Sequence, residues 1–108
     1  MGMGFLHAQY TQIPDPGFEQ FLINEGIDTE QVLDGQVLTS DINTIAQLEI
    51  VEPEPNFADL TGIEDFVSLE ELFIGFTELT SLNLSENTNL AAIFCILNPE
   101  LEHINFNG

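Results

Sequence analysis

Apolar residues recur in the second half of the chain in one short unit, with apolar side chains at its first, fourth and sixth positions. The unit occurs five times, as IAQLEI at 45–50, LEELFI at 69–74, LTSLNL at 79–84, LAAIFC at 90–95 and LEHINF at 101–106. Successive side chains of a strand point to opposite faces, so the fourth and sixth positions share one face and the third and fifth share the other. Each unit therefore predicts a short strand with a buried face and a displayed face.

The spacing of the units predicts which strands lie beside each other. One turn of a coil built from such units takes roughly 20–29 residues. The central apolar residues Leu48, Leu72 and Ile93 are 24 and 21 residues apart, and Leu82 and Ile104 are 22 apart. We therefore expect the first three to stack as parallel strands of a front sheet, and the other two to form the back of successive turns.

The segment between the first two front strands follows a different spacing. Its apolar residues recur at every third position, at Leu60, Ile63, Phe66 and Leu69. A period near three is closer to that of a helix than to that of a strand. The segment therefore predicts a short helical connection on the back of the first turn.

The N-terminal part predicts a helix from Pro16 to about Glu25. Asp15 is a good N-cap, Pro16 suits the first helical position, and Gly26 can end the helix in a left-handed conformation. Spacings of three and four place the large apolar residues on one face. These residues are Phe18, Phe21 and Leu22. The side chains expected to stay hydrated are Glu19, Gln20 and Asn24.

A tight turn and a second helical turn are predicted after this helix. Asp34 and Gly35 stand between short apolar pairs, which favours a tight turn, and Ser40 can cap a helical turn that ends near Ile45. The chain then divides into residues 1–9, interpreted either as the remnant of a secretory leader or as a flexible terminus, a small helical N-terminal cap at 10–45, and the repeats at 46–108.

Two of the units continue to an asparagine three places later, Asn87 and Asn98, which completes the form L-x-x-L-x-L-x-x-N. These amides are expected to satisfy backbone groups. Together with the stretch IPDPGFEQFLINEGIDTEQVLDGQVLTSDI, the repeats resemble the secreted leucine-rich repeat proteins of Bacteroidota, in which an IPDP-FE cap precedes repeats of about 21 residues. The resemblance covers about Gln9 to Phe106.

The resemblance implies an α/β fold: a short right-handed leucine-rich repeat solenoid, a horseshoe fragment with a parallel front sheet of about three strands behind a helical cap. It also implies a secreted or cell-surface location, and proteins of this family often carry a C-terminal sorting signal. The sequence has no such signal and ends two residues beyond a repeat unit. We therefore expect a fragment or an unusually short member.

The net charge of the chain limits the classes of partner that it can bind. It carries 19 Asp and Glu and no Lys or Arg, a formal net charge of -19. Without cations it has no electrostatic attraction for nucleic acid or for an anionic membrane surface. The longest apolar run, residues 91–97, is too short to insert across a membrane. The expected partner is a neutral or cationic protein or glycan, and weak, nonspecific binding of divalent cations is also expected.

The displayed positions of the three front strands form three columns across the predicted sheet. The columns are Gln47, Glu71 and Ala92; Glu49, Phe73 and Phe94; and Val51, Gly75 and Ile96. Exposed aromatic residues rimmed by charge are typical of interfaces. The predicted ligand-binding residues are Glu49, Val51, Glu71, Phe73, Phe94 and Ile96. The other interpretation is that the cap or a missing neighbour covers the rings, or that Phe is present because it favours strands.

Catalytic chemistry is not predicted. Cys95 occupies an inward position and His103 an outward one on the other side of the coil, so thiol and imidazole cannot meet. Cys95 is therefore expected to be a small apolar core residue. No catalytic residue, cofactor or histidine cluster for zinc is assigned, and we do not expect an enzyme.

A twelve-residue stretch resembles a calcium loop only in part. Its first, fifth, sixth and twelfth positions are occupied by Glu30, Asp34, Gly35 and Asp41. The third position is Val32, which offers no oxygen ligand. We interpret the stretch as a degenerate loop retained as a turn, without a specific metal site.

Three functions remain open on the sequence. The first is a non-catalytic recognition module that binds through the concave sheet. The second is an acidic mimic of nucleic acid that inhibits a basic DNA-binding protein, which only the charge supports. The third is a structural spacer within an adhesin.

Overall fold

The computed structural model describes residues 9–106, so the predicted leader lies outside the described residues except for Gln9. These described residues form seven strands, two α-helices and one 3₁₀ helix. In order these are β1 (Tyr10–Gln12), α1 (Pro16–Asn24), β2 (Gln36–Leu38), α2 (Thr39–Ile42), β3 (Gln47–Val51), the 3₁₀ helix (Ile63–Asp65), β4 (Glu71–Gly75), β5 (Ser81–Leu84), β6 (Ala92–Ile96) and β7 (His103–Phe106).

The strands form three sheets. A parallel sheet has the order β3-β4-β6, a second parallel sheet pairs β5 with β7, and β1 and β2 pair antiparallel. In the first sheet Leu48, Leu72 and Ile93 lie in register. The mixed α/β class, the parallel front sheet of three strands and the pairing of the two back strands are thus confirmed.

The core lies between the two parallel sheets and the segment that contains the 3₁₀ helix. Positions four and six of the first three units are buried, because alternate side chains of each strand point to the same interior. The apolar residues spaced by three are buried as well; these are Leu60, Ile63, Phe66 and Leu69. The predicted helical connection is confirmed as the 3₁₀ helix Ile63–Asp65.

Helix α1 begins and ends as predicted. The Asp15 carboxylate accepts a hydrogen bond from the backbone N–H of Gly17 at 2.9 Å, and its other oxygen accepts from the N–H groups of Ala58 and Asp59 at 3.1 Å. Gly26 follows the helix with a φ of 75°. Because Asp15 binds both its own helix and a distant loop, it fixes α1 against the repeats.

Glu19 corrects one expectation about this helix. It was expected to stay hydrated, but its side chain is buried. Its carboxylate oxygens accept hydrogen bonds from the backbone N–H groups of Asp34 and Gly35, each at 2.8 Å. The loop before β2 therefore folds over the helix and is held by one buried acid. Burial raises the pKa of this carboxyl above its ordinary value.

Two further details of the cap differ from expectation. Helix α2 begins at Thr39, so Ser40 lies inside it and is not its N-cap; that position is Leu38, which makes no side-chain cap. The cap also contains the antiparallel pair β1–β2 and is therefore not purely helical. The predicted turn is present at Gly35, which has a φ of 83°.

The two repeat asparagines bind the backbone of the preceding turn, as expected. The Asn87 amide donates to the carbonyl oxygens of Ile63 and Phe66, at 2.9 and 3.1 Å. The Asn98 amide donates to the carbonyl oxygen of Ile74 at 3.1 Å, and its own oxygen accepts from the hydroxyl of Thr77 at 2.6 Å. Each amide thus connects residues more than twenty positions apart.

Asn87→Ala is expected to lower the free energy of unfolding by about 2 kcal/mol, because two hydrogen bonds to buried carbonyls are lost. The matched control is Asn89→Ala. The Asn89 side chain is exposed and donates a single bond, to the carbonyl oxygen of Val67 at 2.9 Å. We expect that variant to lose about 0.5 kcal/mol or less. Urea denaturation followed by circular dichroism measures both; equal losses would contradict a special role for Asn87.

Cys95 corrects the expectation of a core cysteine, because its side chain is exposed. It occupies an inward position of β6, the last strand in the sheet order. Ile104 of β7, also at an inward position, is 38% exposed. The inward positions are therefore buried in β3 and β4 but not in β6. Partial burial still raises the pKa of the Cys95 thiol.

Candidate binding surface on the three-stranded sheet

The parallel register of β3, β4 and β6 brings all of the predicted binding residues to one face. Glu49, Phe73 and Phe94 lie side by side on neighbouring strands, as do Val51, Gly75 and Ile96. Both columns match the prediction, as does the column of Gln47, Glu71 and Ala92. We call this surface the outer sheet face; its six predicted binding residues are Glu49, Val51, Glu71, Phe73, Phe94 and Ile96.

Most of the apolar side chains on the outer sheet face are open to solvent. Phe94 is 51% exposed, Val51 46% and Ile96 45%, whereas Phe73 is half-buried. Within residues 9–106, the cap therefore does not cover the ring of Phe94. A contiguous set of exposed large apolar residues is a common mark of an interaction site.

Phe73 and Phe94 form a stacked pair. Their ring centroids are 5.9 Å apart, and the ring planes are inclined by 27°. The pair follows from the register, because residues directly opposite each other on neighbouring strands are about 5 Å apart. Stacked rings present a rigid apolar wall that loses little conformational entropy on binding.

Two carboxylates stand beside this aromatic wall. Glu71 accepts a hydrogen bond from the Gln47 side-chain amide at 2.9 Å, and Glu49 is next to Phe73 in the register. Together these side chains line a shallow cavity of about 140 Å³; the lining residues are Gln47, Leu48, Glu49, Glu71, Leu72, Phe73 and Phe94. The lining of the cavity thus combines aromatic rings with carboxylates.

The Phe73 ring and the Val51 side chain lie beside Gly75 in the central strand. A Cβ atom at Gly75 would be 3.8 Å from Phe73 Cε1 and 3.9 Å from Val51 Cγ1. These are ordinary contact distances, so the side chains of Phe73 and Val51 border the space beside Gly75. The outer sheet face is therefore continuous across its central strand.

Sequence reasoning missed two apolar residues at the ends of these strands. Phe76 and Leu97 are 43% and 65% exposed, and both have a positive φ, of 57° and 52°. Glu52 occupies the same position after β3, with a φ of 48°. Left-handed backbone is uncommon for such residues and is not readable from their side chains. Only their spacing, equal to that of the strands, could have marked them as equivalent.

Phe76 and Leu97 extend the apolar surface beyond the sheet. They line a second, wider cavity of about 680 Å³, together with Asn56, Thr77, Glu78, Asn98 and Pro99. In parallel sheets, the carboxyl ends of the strands are a common place for ligands. The second cavity therefore adds contact area next to the outer sheet face.

Two acidic side chains of the degenerate calcium loop accept hydrogen bonds from different partners. Asp41 accepts from the backbone N–H and the hydroxyl of Thr29, at 2.9 and 2.8 Å. Glu30 accepts from the Tyr10 hydroxyl at 2.8 Å. Within residues 9–106, no group of three His, Cys, Asp or Glu side chains is placed to hold a metal ion. Cys95 and His103 lie in different sheets.

None of the helices among the described residues is both long and apolar enough to cross a membrane. Comparison with family models, curated proteins and solved structures gives no match to this chain. A proposal about function therefore rests on the geometry of the outer sheet face.

Proposed function

We propose that the protein is a non-catalytic recognition module that binds a protein or a glycan through the outer sheet face. The observation that carries this proposal is the stacked pair of Phe73 and Phe94 on a face where Val51 and Ile96 are also exposed. Aromatic residues dominate the binding energy of many interfaces, and a flat rigid sheet presents them at little entropic cost.

We also propose that the chain is a short right-handed leucine-rich repeat solenoid of the secreted Bacteroidota type. In support, successive strands from β4 to β7 alternate between two parallel sheets, so the chain passes back and forth around one core. The amides of Asn87 and Asn98 connect successive turns, as expected of that repeat. A secreted or cell-surface location is part of the same proposal.

The experiment compares ligand capture by the wild-type protein and by the double variant Phe73→Ser/Phe94→Ser. A random peptide display library and a glycan array supply the candidate ligands. The double variant is expected to lose at least about tenfold in retention of the ligands that the wild type captures, because exposed aromatic anchors contribute about 1–2 kcal/mol each. It should remain folded, with a loss of about 1–2 kcal/mol from the strand and ring contacts.

The matched control is Val67→Ser. Val67 is 50% exposed but lies outside the outer sheet face, after the 3₁₀ helix. Capture should be unchanged in this variant. Unfolding of the double variant would mean that the rings belong to the core. Equal capture by all three proteins would place binding elsewhere, and no capture by the wild type would favour a structural spacer.

A further inference from the structure

The cavity on the outer sheet face is lined by aromatic and acidic side chains, and both favour a cationic ligand group. Its lining includes the aromatic rings of Phe73 and Phe94 and the carboxylates of Glu49 and Glu71. Aromatic ring faces carry partial negative charge and attract cations, Arg and Lys above all. Carboxylates at the same cavity add a charge-assisted hydrogen bond to such a group. An anionic group would be repelled by both.

The chain has no cation of its own to fill this cavity. It contains no Lys or Arg among its 108 residues, and its formal net charge is -19. The Glu71 carboxylate pairs with the neutral amide of Gln47 and not with a basic side chain. The complementary charge must therefore come from a partner.

The apolar surroundings of the cavity favour a long side chain over a small ion. Val51 and Ile96 lie on the same face one column further along the strands, and both are about half exposed. Lys and Arg cover apolar surface with their methylene stems while their charged ends stay in a polar setting. A metal ion or a small ammonium ion would leave these apolar residues in water.

We propose that the outer sheet face binds an extended cationic peptide segment by taking a Lys or Arg side chain into the cavity lined by the Phe73–Phe94 pair and the carboxylates of Glu49 and Glu71. The stem of that side chain packs over the apolar column of Val51 and Ile96. This inference rests on the proposed function, since it names the partner class of the same face. Among the two partner classes proposed above, it selects a protein segment over a glycan.

The test uses capped synthetic peptides that are identical except at one central residue, which is Lys, Arg, Gln or Glu. Dissociation constants are measured at physiological salt by NMR titration of the full chain, with the ring protons of Phe73 and Phe94 as reporters. The Lys and Arg peptides are expected to bind about tenfold more tightly than the Gln peptide, and the Glu peptide most weakly.

Two variants with the same net charge separate this cavity from the general charge of the protein. Glu49→Gln/Glu71→Gln removes the carboxylates of the cavity and is expected to weaken the Lys peptide about tenfold. Glu86→Gln/Glu100→Gln removes two exposed carboxylates outside the outer sheet face and is expected to change binding less than twofold. The result that supports the inference is this difference between the two variants.

Three results would overturn the inference: equal binding of the Lys, Arg and Gln peptides, equal weakening in both variants, or no binding of any of these peptides. The proposed function would survive each of them if library peptides or glycans captured by the wild type were lost in Phe73→Ser/Phe94→Ser. A neutral glycan captured in that way would show that the face recognises a partner of a different class. Failure of the cationic-peptide proposal can therefore be distinguished from failure of the proposed function.

Discussion

Replacing Phe18 by alanine is expected to lower the free energy of unfolding by about 3–5 kcal/mol, as for other fully buried phenylalanines. The Phe18 side chain of α1 has no exposed surface. Its ring centroid lies 5.4 Å from that of Phe57 and 6.3 Å from that of Phe66, both in the connection between β3 and β4. Truncation would leave a cavity at the junction of the cap and the repeats.

The same substitution tests whether the cap and the repeats unfold together. Phe18, Phe57 and Phe66 belong to one hydrophobic cluster that includes residues of both parallel sheets. We therefore expect a single transition in thermal and urea denaturation, shifted as a whole in Phe18→Ala. The matched control, Phe76→Ala, removes a ring that is 43% exposed and should cost about 1 kcal/mol or less. Two separate transitions, or similar losses in both variants, would contradict a shared core.

Acidification from pH 8 to pH 5 is expected to raise the melting temperature, and each gain of about 1 kcal/mol shifts the midpoint of a domain of this size by roughly 4–8 °C. The cause lies in two buried carboxyls. Burial raises the pKa of Glu19 above its ordinary value of 4.5, and burial raises the pKa of Asp28 above 3.8. One oxygen of Asp28 is buried without a hydrogen-bond partner.

The sign follows from proton binding. When the folded-state pKa of an acid is raised, the folded chain holds a proton at pH values where the unfolded chain has released it. The stability that Glu19 and Asp28 contribute is complete below their unfolded pKa values and is lost as the pH rises through the folded ones.

Melting curves of two variants identify the source of the pH dependence. Glu19→Gln should reduce the difference between pH 5 and pH 8, whatever its effect on overall stability. Glu25→Gln removes an exposed carboxylate at the C-terminal end of the same helix and should leave the difference unchanged. Sodium chloride added at pH 8 should raise the melting temperature of all three proteins by screening the charge. A lower melting temperature at pH 5 would refute the prediction.

The sheets could be predicted because their signal is local and repeated. Each strand is marked by alternating apolar residues, and the distance between units sets the register, so Leu48, Leu72 and Ile93 align without further information. By contrast, β1 and β2 have three residues each, too few for a period to be recognised. The burial of Glu19 depends on a loop about fifteen residues away, which helical periodicity does not contain.

In the candidate site, too, some features could be predicted from the sequence and others could not. The neighbours of Phe73 on the outer sheet face follow from strand alternation and register, and the structure has them as predicted. The exposure of Cys95 depends on which strand has a neighbour, a tertiary property that the unit itself does not encode. Phe76 and Leu97 adopt left-handed backbone that their side chains disfavour, so only the surrounding structure selects it.

The hydrogen bonds of Asn87 and Asn98 bear on which end of the chain unfolds first. Asn87 binds carbonyl groups that lie 24 and 21 residues earlier, and Asn98 binds one that lies 24 residues earlier. Each amide is thus supplied by a later segment to satisfy an earlier one. Loss of the β6–β7 end removes Asn98 itself and its bond to Ile74, whereas both bonds of Asn87, to Ile63 and Phe66, remain in place. In the proposed solenoid, fraying therefore begins at the carboxyl end and proceeds turn by turn toward α1.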